Sequence, residues 1–176
     1  ATGVSSNQYV TVDRFIVVPT NLGTWTVEQS TDAPDGFASS LKMTCTTAET
    51  SPIAAANCSI GHKIEAQNLQ SLGYGGSASK DITISFWVKS NKTGNASFEI
   101  QQKDNSNKQV TPQYSISSAN TWEYKTITVG GDASGIINND NGIGLFLRWW
   151  LNSGSDYTGG TNQTVYTAQD NTDRNA

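Results

Sequence analysis

DITISFWVKS, residues Asp81 to Ser90, decides the class of fold. Ile82, Ile84, Phe86 and Val88 alternate with Thr83, Ser85, Trp87 and Lys89, a period of two that puts the apolar set on one side of a strand. A strand with one apolar face needs a second apolar layer over it. WEYKTITVGG (Trp122 to Gly131) and IGLFLRWWLN (Ile143 to Asn152) repeat the pattern. The economical architecture is therefore all-β, a two-sheet antiparallel β-sandwich.

Working outward, strand-like segments separated by turn-rich linkers recur along the whole chain. Strands are predicted at Asp13 to Val18, Thr24 to Ser30, Ser40 to Thr47, His62 to Asn68, Ile82 to Ser90, Ser97 to Lys103, Gln109 to Ser117, Glu123 to Val129 and Gly144 to Leu151. Nine short strands suit a jelly roll. Asp104-Asn105-Ser106-Asn107 reads as a hairpin turn, because these side chains bond their own backbone and tolerate turn geometry. Asn91 to Asn95 joins the preceding strand to the next, so a meander is expected there. No helical periodicity lasts long enough for a core helix, and Ala54-Ala55-Ala56 supplies a helical turn at most.

The 176 residues fit a single domain, 1–176, long enough to bury most of its apolar side chains in one core. Only 15% of the residues are charged, against about 25% in an average globular domain, so the surface is amide and hydroxyl rather than ionic. A net charge of -4 and scattered Lys and Arg residues repel a polyphosphate, so no nucleic-acid partner is expected. No apolar stretch approaches the roughly 20 residues a membrane-crossing helix needs, so no membrane insertion is expected. ATGVSSNQYV at the N-terminus has neither the basic nor the apolar region of a signal peptide, and the absent initiator Met suggests a processed chain or a piece of a larger protein.

Chemistry-bearing patterns are scarce. The sole histidine, His62, has no nucleophile motif around it, and G-x-S-x-G, H-E-x-x-H and Walker A patterns are absent. Gly142-Ile143-Gly144 lacks the third glycine of a dinucleotide fingerprint. Glycoside hydrolysis would need two of Glu28, Glu49, Glu65, Glu99 and Glu123 facing each other across a cleft, and nothing singles out a pair. Asn138-Asn139-Asp140-Asn141 fails the spacing of an EF-hand and reads as a turn. The expectation is a protein that is not an enzyme and has no cofactor, with structural calcium from distant loops such as Asp13 or Asp132 left unassigned. Cys45 and Cys58 either close a bridge or are two unrelated thiols, and both readings stay open.

Aromatic residues are the remaining lead. Leu145, Leu147, Trp149 and Leu151 share one face of their strand, and Phe146, Arg148 and Trp150 share the other. If Trp149 belongs to the core, Trp150 beside Arg148 lies on an outer or concave face, where an indole stacks on a sugar or packs on a neighbouring subunit. Trp150, Arg148 and Trp87 are the candidate glycan- or partner-binding residues. Trp122 is expected at a sandwich end, and Trp25 fits either core or platform.

An ordered series of motifs carries a resemblance: Asp13-Arg14-Phe15, Trp25 with Val27 to Ser30, Pro34-Asp35-Gly36-Phe37, Ser39 to Lys42, Ile64-Glu65, Ser85 to Ser90, Thr121 to Thr126 and Gly154-Ser155. Together they resemble a family of jelly-roll domains in tail-fibre, appendage and other virion proteins of marine and uncultured phages, similar in architecture to carbohydrate-binding modules. The resemblance implies a module on the virion surface or outside the cell, with glycans or other virion subunits as partners and a homo-oligomer as its assembled form. It also implies a final strand bearing Gln-Leu-Glu-x-Gly, which this chain does not show, so a closing strand is expected to be missing or supplied by a neighbouring copy at an open sheet edge. The alternatives are a carbohydrate-binding module cut from a secreted polysaccharide-degrading enzyme, and a self-assembling surface or filament protein.

Overall fold

The computed structural model describes residues 14–104 and 107–175, together with the backbone of residues 2–4. Expectations for Asp13 and for Asn105 and Ser106 lie outside the described residues. The strands in chain order are β1 (Thr2–Val4), β2 (Phe15–Thr20), β3 (Thr24–Ser30), β4 (Ser40–Thr47), β5 (Asn57–Glu65), β6 (Ile82–Val88), β7 (Gly94–Gln102), β8 (Lys108–Val110), β9 (Gln113–Ile116), β10 (Glu123–Val129), β11 (Ile143–Ser153) and β12 (Thr167–Ala168). The protein is an all-β sandwich, and every strand pairing is antiparallel.

The larger sheet runs β12-β8-β7-β11-β5-β2, with β9 also paired to β7. β8 and β9 divide one path alongside β7: Lys108 to Val110 pair with its second half and Gln113 to Ile116 with its first. The break falls at Thr111-Pro112, where proline lacks the N–H that a continuous ladder requires. Pro112 still accepts a bond from the Phe98 N–H at 2.9 Å. Two smaller sheets, β1-β3-β4 and β6-β10, carry the apolar residues that meet it.

The alternation of Ile82, Ile84, Phe86 and Val88 points inward as expected, in register with Lys125, Ile127 and Val129 of β10. Beneath this pair lie Phe98 and Ile100 of β7, Val110 of β8, Tyr114 of β9, and Leu145 and Leu147 of β11, all buried. A separate cluster joins Val17 of β2 to Val27, Leu41 and Met43 under β3 and β4. Between the two, the same face of the larger sheet is less well covered. Phe15, Ile60, His62, Ile64 and Trp149 are only half-buried there, as is the whole inward row of β6.

β5 differs from its sequence reading. It begins at Asn57 rather than His62 and ends at Glu65. Residues Ala66–Leu72 form a 3-10 helix instead of continuing the strand, because the Ala66 and Gln67 N–H groups donate to the carbonyls of Gly142 and Asp140 and draw the chain out of the ladder. Gly73, at φ 63°, ends this helix in the left-handed conformation. Ala54 and Ala55 form a single turn, closed by the Ala56 N–H on the Ile53 carbonyl at 3.0 Å.

Candidate functional site

The second face of the larger sheet is polar. Alternation puts Phe146, Arg148 and Trp150 of β11 opposite to Leu145, Leu147 and Trp149. Register then aligns Arg148 with Glu99 of β7 and Gly61 of β5, Trp150 with Ser59, and Phe146 with Gln101. Polar residues on such a face are ordinarily solvated, but here the face is closed: Ser59, Ser97, Glu99, Gln101 and Gln109 are all buried.

The cover is the chain's own C-terminal segment, residues 154–175. Gln109 donates from Nε2 to the Asp170 carbonyl at 2.7 Å, and the Gln163 and Thr111 N–H groups bond to Thr111 Oγ1 and the Gln163 carbonyl. Asp173 accepts from the Thr161 N–H at 2.6 Å and from Gln163 Nε2 at 2.9 Å, which holds the segment folded on itself. Tyr157 packs on Trp150 with ring centroids 5.3 Å apart, and the Arg174 guanidinium lies 5.9 Å from the Tyr157 ring.

Glu99 stands at the centre with 0% of its surface exposed. Trp150 donates from Nε1 to Glu99 Oε2 at 3.0 Å. Arg148 Nη1 lies 3.7 Å from the same oxygen, and Arg174 Nε lies 3.3 Å from Oε1 as an ion pair without hydrogen-bond alignment. Arg148 also donates from Nε and Nη2 to Ser59 Oγ, and its guanidinium sits 4.5 Å over the Trp150 ring. Burial holds its pKa below the usual range, offset by the Glu99 charge. Two cations thus share one desolvated carboxylate.

This geometry corrects the expected platform. Trp150 is 2% exposed and Arg148 8% exposed, so neither offers a surface to a sugar or a neighbouring molecule. The strand faces are assigned as expected, with Trp149 against the core cluster. The inference from "not core" to "open" fails, because residues 154–175 cover that face.

Trp87 is different. It lies on the outward face of β6 at 40% exposed, directly across from Tyr124 of β10 at 56%. The ring centroids are 5.3 Å apart and tilted by 54°. Next along the two strands come Ser85 with Thr126, then Thr83 with Thr128, whose hydroxyls share a 2.9 Å hydrogen bond. The outward residues of this strand pair are therefore two aromatics and four hydroxyls, with no charge among them. The reading of aromatic residues by strand face named Trp87 and missed Tyr124. Its signal was available in the alternation of WEYKTITVGG, but the pairing of Tyr124 with Trp87 is long-range and needs the register.

A charged corner borders the aromatic pair. Asp32 accepts from Lys89 Nζ at 2.6 Å and from Trp122 Nε1 at 3.0 Å, and the Lys89 ammonium is 5.9 Å from the Trp122 ring. The Lys89 hydrogen bond, then the Trp122 one, holds the Asp32 carboxyl below its ordinary range. This corner links the loop after β3 to the end of β6 and the start of β10. Trp25 belongs to the interior: its Nε1 donates to the Leu22 carbonyl at 2.8 Å and its ring packs on the cluster of Leu22, Ala56 and Cys58.

The other sequence leads are placed as follows. His62 lies within β5, its ring 4.7 Å from that of Phe15. Glu28 pairs with Lys42 at 3.3 Å, Glu65 accepts from Gln67 and Asn68, and Glu123 accepts from Lys125 and from the Ser117 and Ser118 N–H groups. Asp140 closes its turn by accepting from the Gly142 N–H. Asp132 is tied to Lys108 and Ser134. Among the described residues no three His, Cys, Asp or Glu side chains converge as a metal-holding group, and no helix is long and apolar enough to cross a membrane. Comparison with family models, curated proteins and solved structures finds no match to this chain.

Proposed function

We propose that this chain is a non-enzymatic jelly-roll module displayed on a phage particle, where it contacts host-surface glycans through Trp87 and Tyr124. The observation that carries the glycan part is the exposed aromatic pair set in an uncharged, hydroxyl-bearing strand face. Aromatic rings cover the apolar face of a pyranose, and the flanking Ser and Thr hydroxyls donate to or accept from sugar hydroxyls without the desolvation cost of a charge. The virion setting is supported by the ordered motif series from Asp13 to Ser155. Trp150 and Arg148 serve this reading as the packing behind the platform's sheet partner rather than as ligand contacts.

Glycan-array screening followed by calorimetry tests it. Trp87→Ala and Tyr124→Ala should each weaken binding by about tenfold, the effect of losing roughly 1.4 kcal/mol of contact, with the fold intact by circular dichroism. Absence of any bound glycan, or binding unchanged in both variants, removes the assignment.

A second reading, a structural or decorating subunit, has its own support. β6 is paired only with β10 among the described residues, and its inward row is half-buried. A strand from another copy or another virion subunit would extend that sheet and complete the cover. Light scattering across a concentration series separates the readings: a glycan binder that stays monomeric fits the first, and concentration-dependent assembly without glycan binding fits the second.

A further inference from the structure

We propose that Cys45 and Cys58 form an intramolecular disulfide that staples β4 of the smaller sheet to β5 of the larger one when the protein meets a low-molecular-weight disulfide oxidant. The geometry comes from strand register. Cys45 is the direct cross-strand partner of Trp25 and lies two residues beyond Met43 on the same face of β4. Trp25 and Met43 both pack on the cluster that contains Cys58. Cys58 is fully buried there, between Leu22 and Ala56, and is in register with Pro19 of β2. Register and packing therefore bring the two thiols to the same place from opposite layers of the sandwich: Cys45 sits beside Trp25 and Met43 on its sheet, and those two side chains pack on the cluster that holds Cys58.

A further sign of proximity is electrostatic. Burial first and the nearby Cys45 charge second together push the Cys58 thiol up to about 12. Both cysteines are reduced in this structure, with Cys45 exposed at the open side of the layer and Cys58 inside. This asymmetry sets the order of chemistry. The Cys45 thiolate attacks oxidised glutathione, breaking its S–S bond, forming a mixed disulfide and releasing one glutathione thiolate. Cys58 then gives its proton to water, attacks the Cys45 sulfur and displaces the second glutathione. Two protein thiols are oxidised by two electrons, and one glutathione disulfide is reduced to two thiols.

The segment between the cysteines explains what the bond would do. Residues 46–55 are exposed throughout, and Ala56 and Asn57 turn buried only as β5 begins. Cross-linking its ends removes freedom from the unfolded chain around an exposed connection between the two layers. The proposal is independent of glycan binding and of the virion setting.

The test uses the whole chain, refolded or incubated with a glutathione redox couple, then analysed by intact mass and peptide mapping. The expected product is 2 Da lighter than the dithiol (about two hydrogens), resists a thiol-reactive dye, yields a linked Cys45–Cys58 peptide, and melts about 5 to 10 °C higher until reductant is added. Cys45→Ser and Cys58→Ser should each abolish both the bond and the reductant-sensitive shift. Cys58→Ser should retain one glutathione on Cys45. The proposal is overturned if the wild-type chain stops at a Cys45–glutathione adduct, if it forms only intermolecular Cys45 dimers, or if the dithiol survives both refolding and incubation. Because each serine variant is compared with its own reduced form, a variant that folds poorly leaves the wild-type mass result decisive.

Discussion

Glu99→Gln is the most informative single change, because it alters charge while keeping the shape of the side chain. In the native protein the Glu99 carboxylate is 0% exposed, accepts from Trp150 Nε1 at 3.0 Å and balances Arg148 at 3.7 Å and Arg174 at 3.3 Å. The amide retains an acceptor for the indole but leaves both guanidinium groups, themselves buried, without a counterion. Removing one partner of a buried ion pair costs about 3–5 kcal/mol, since the remaining charge stays desolvated. Arg174→Ala is milder: Glu99 keeps Arg148 and Trp150, and the loss should be about 1.5–3 kcal/mol, the range for a charge-assisted contact. Arg148→Ala should fall above Arg174→Ala, because it also strips two bonds to Ser59 Oγ and the cover over the Trp150 ring. Urea unfolding followed by tryptophan fluorescence reads these as shifts in midpoint at a constant slope. The Glu99→Gln/Arg174→Ala double change should be less damaging than the sum of the singles, since removing the cation relieves the uncompensated charge. A Glu99→Gln midpoint within experimental scatter of wild type, with additive singles, would refute the claim that this cluster is desolvated and that residues 154–175 seal it.

Three further outcomes follow from particular contacts. Asp132 is buried, and although burial pushes its carboxyl up, hydrogen bonds from Lys108 and Ser134 hold it below the ordinary value of 3.8. A depressed folded-state value means that its stabilisation is present above that ordinary value and is lost as pH falls through the depressed one, so acid titration of Asp132→Asn should show a shallower loss of stability below about pH 4 than wild type does. Gly61→Ala should destabilise by about 1–3 kcal/mol in thermal unfolding, because an added Cβ would stand 2.5 Å from the Phe146 ring and 3.0 Å from Ile16 Cγ2. Tyr157→Ala should raise hydrogen exchange in residues 154–175 without changing exchange in β6 and β10, since the ring contacts Trp150 on the far face of the larger sheet.

Local pattern made most strands legible. The boundaries of β3, β4 and β10 coincide with their sequence expectations, and β6, β7 and β11 differ at their ends by a few residues. These are segments where alternation and turn chemistry agree. β5 was harder, because its first residues, Asn57, Cys58 and Ser59, are small or polar and yet buried. Their burial comes from a long-range cover that local hydropathy does not encode. The two-residue β12 and the 3-10 helix at Ala66–Leu72 are likewise set by distant partners, Gln109 and Lys108 for one and Asp140 and Gly142 for the other.

The same distinction explains the candidate site. Period-two alternation correctly separates Trp149 from Trp150, but it reports only which side of the sheet each ring takes, and a sheet has two sides that can both be covered. What covers the second side here is a polar segment with almost no regular structure, so neither strand alternation nor hydropathy marks it as a cover. Its burial is legible only in combination: Asp173 folds the segment through Thr161 and Gln163, Arg174 meets Glu99, and Tyr157 meets Trp150. A buried face built from Glu, Arg, Gln and Ser needs each charge answered, so the segment must carry cations and acceptors of its own, and its polarity is a consequence of the face it seals. The exposed pair Trp87 and Tyr124 has the opposite logic. Among the described residues the two rings stack only on each other, their strands turn Ile82, Ile84, Phe86, Ile127 and Val129 toward the core, and two large aromatics held outward by cross-strand register remain available to a partner.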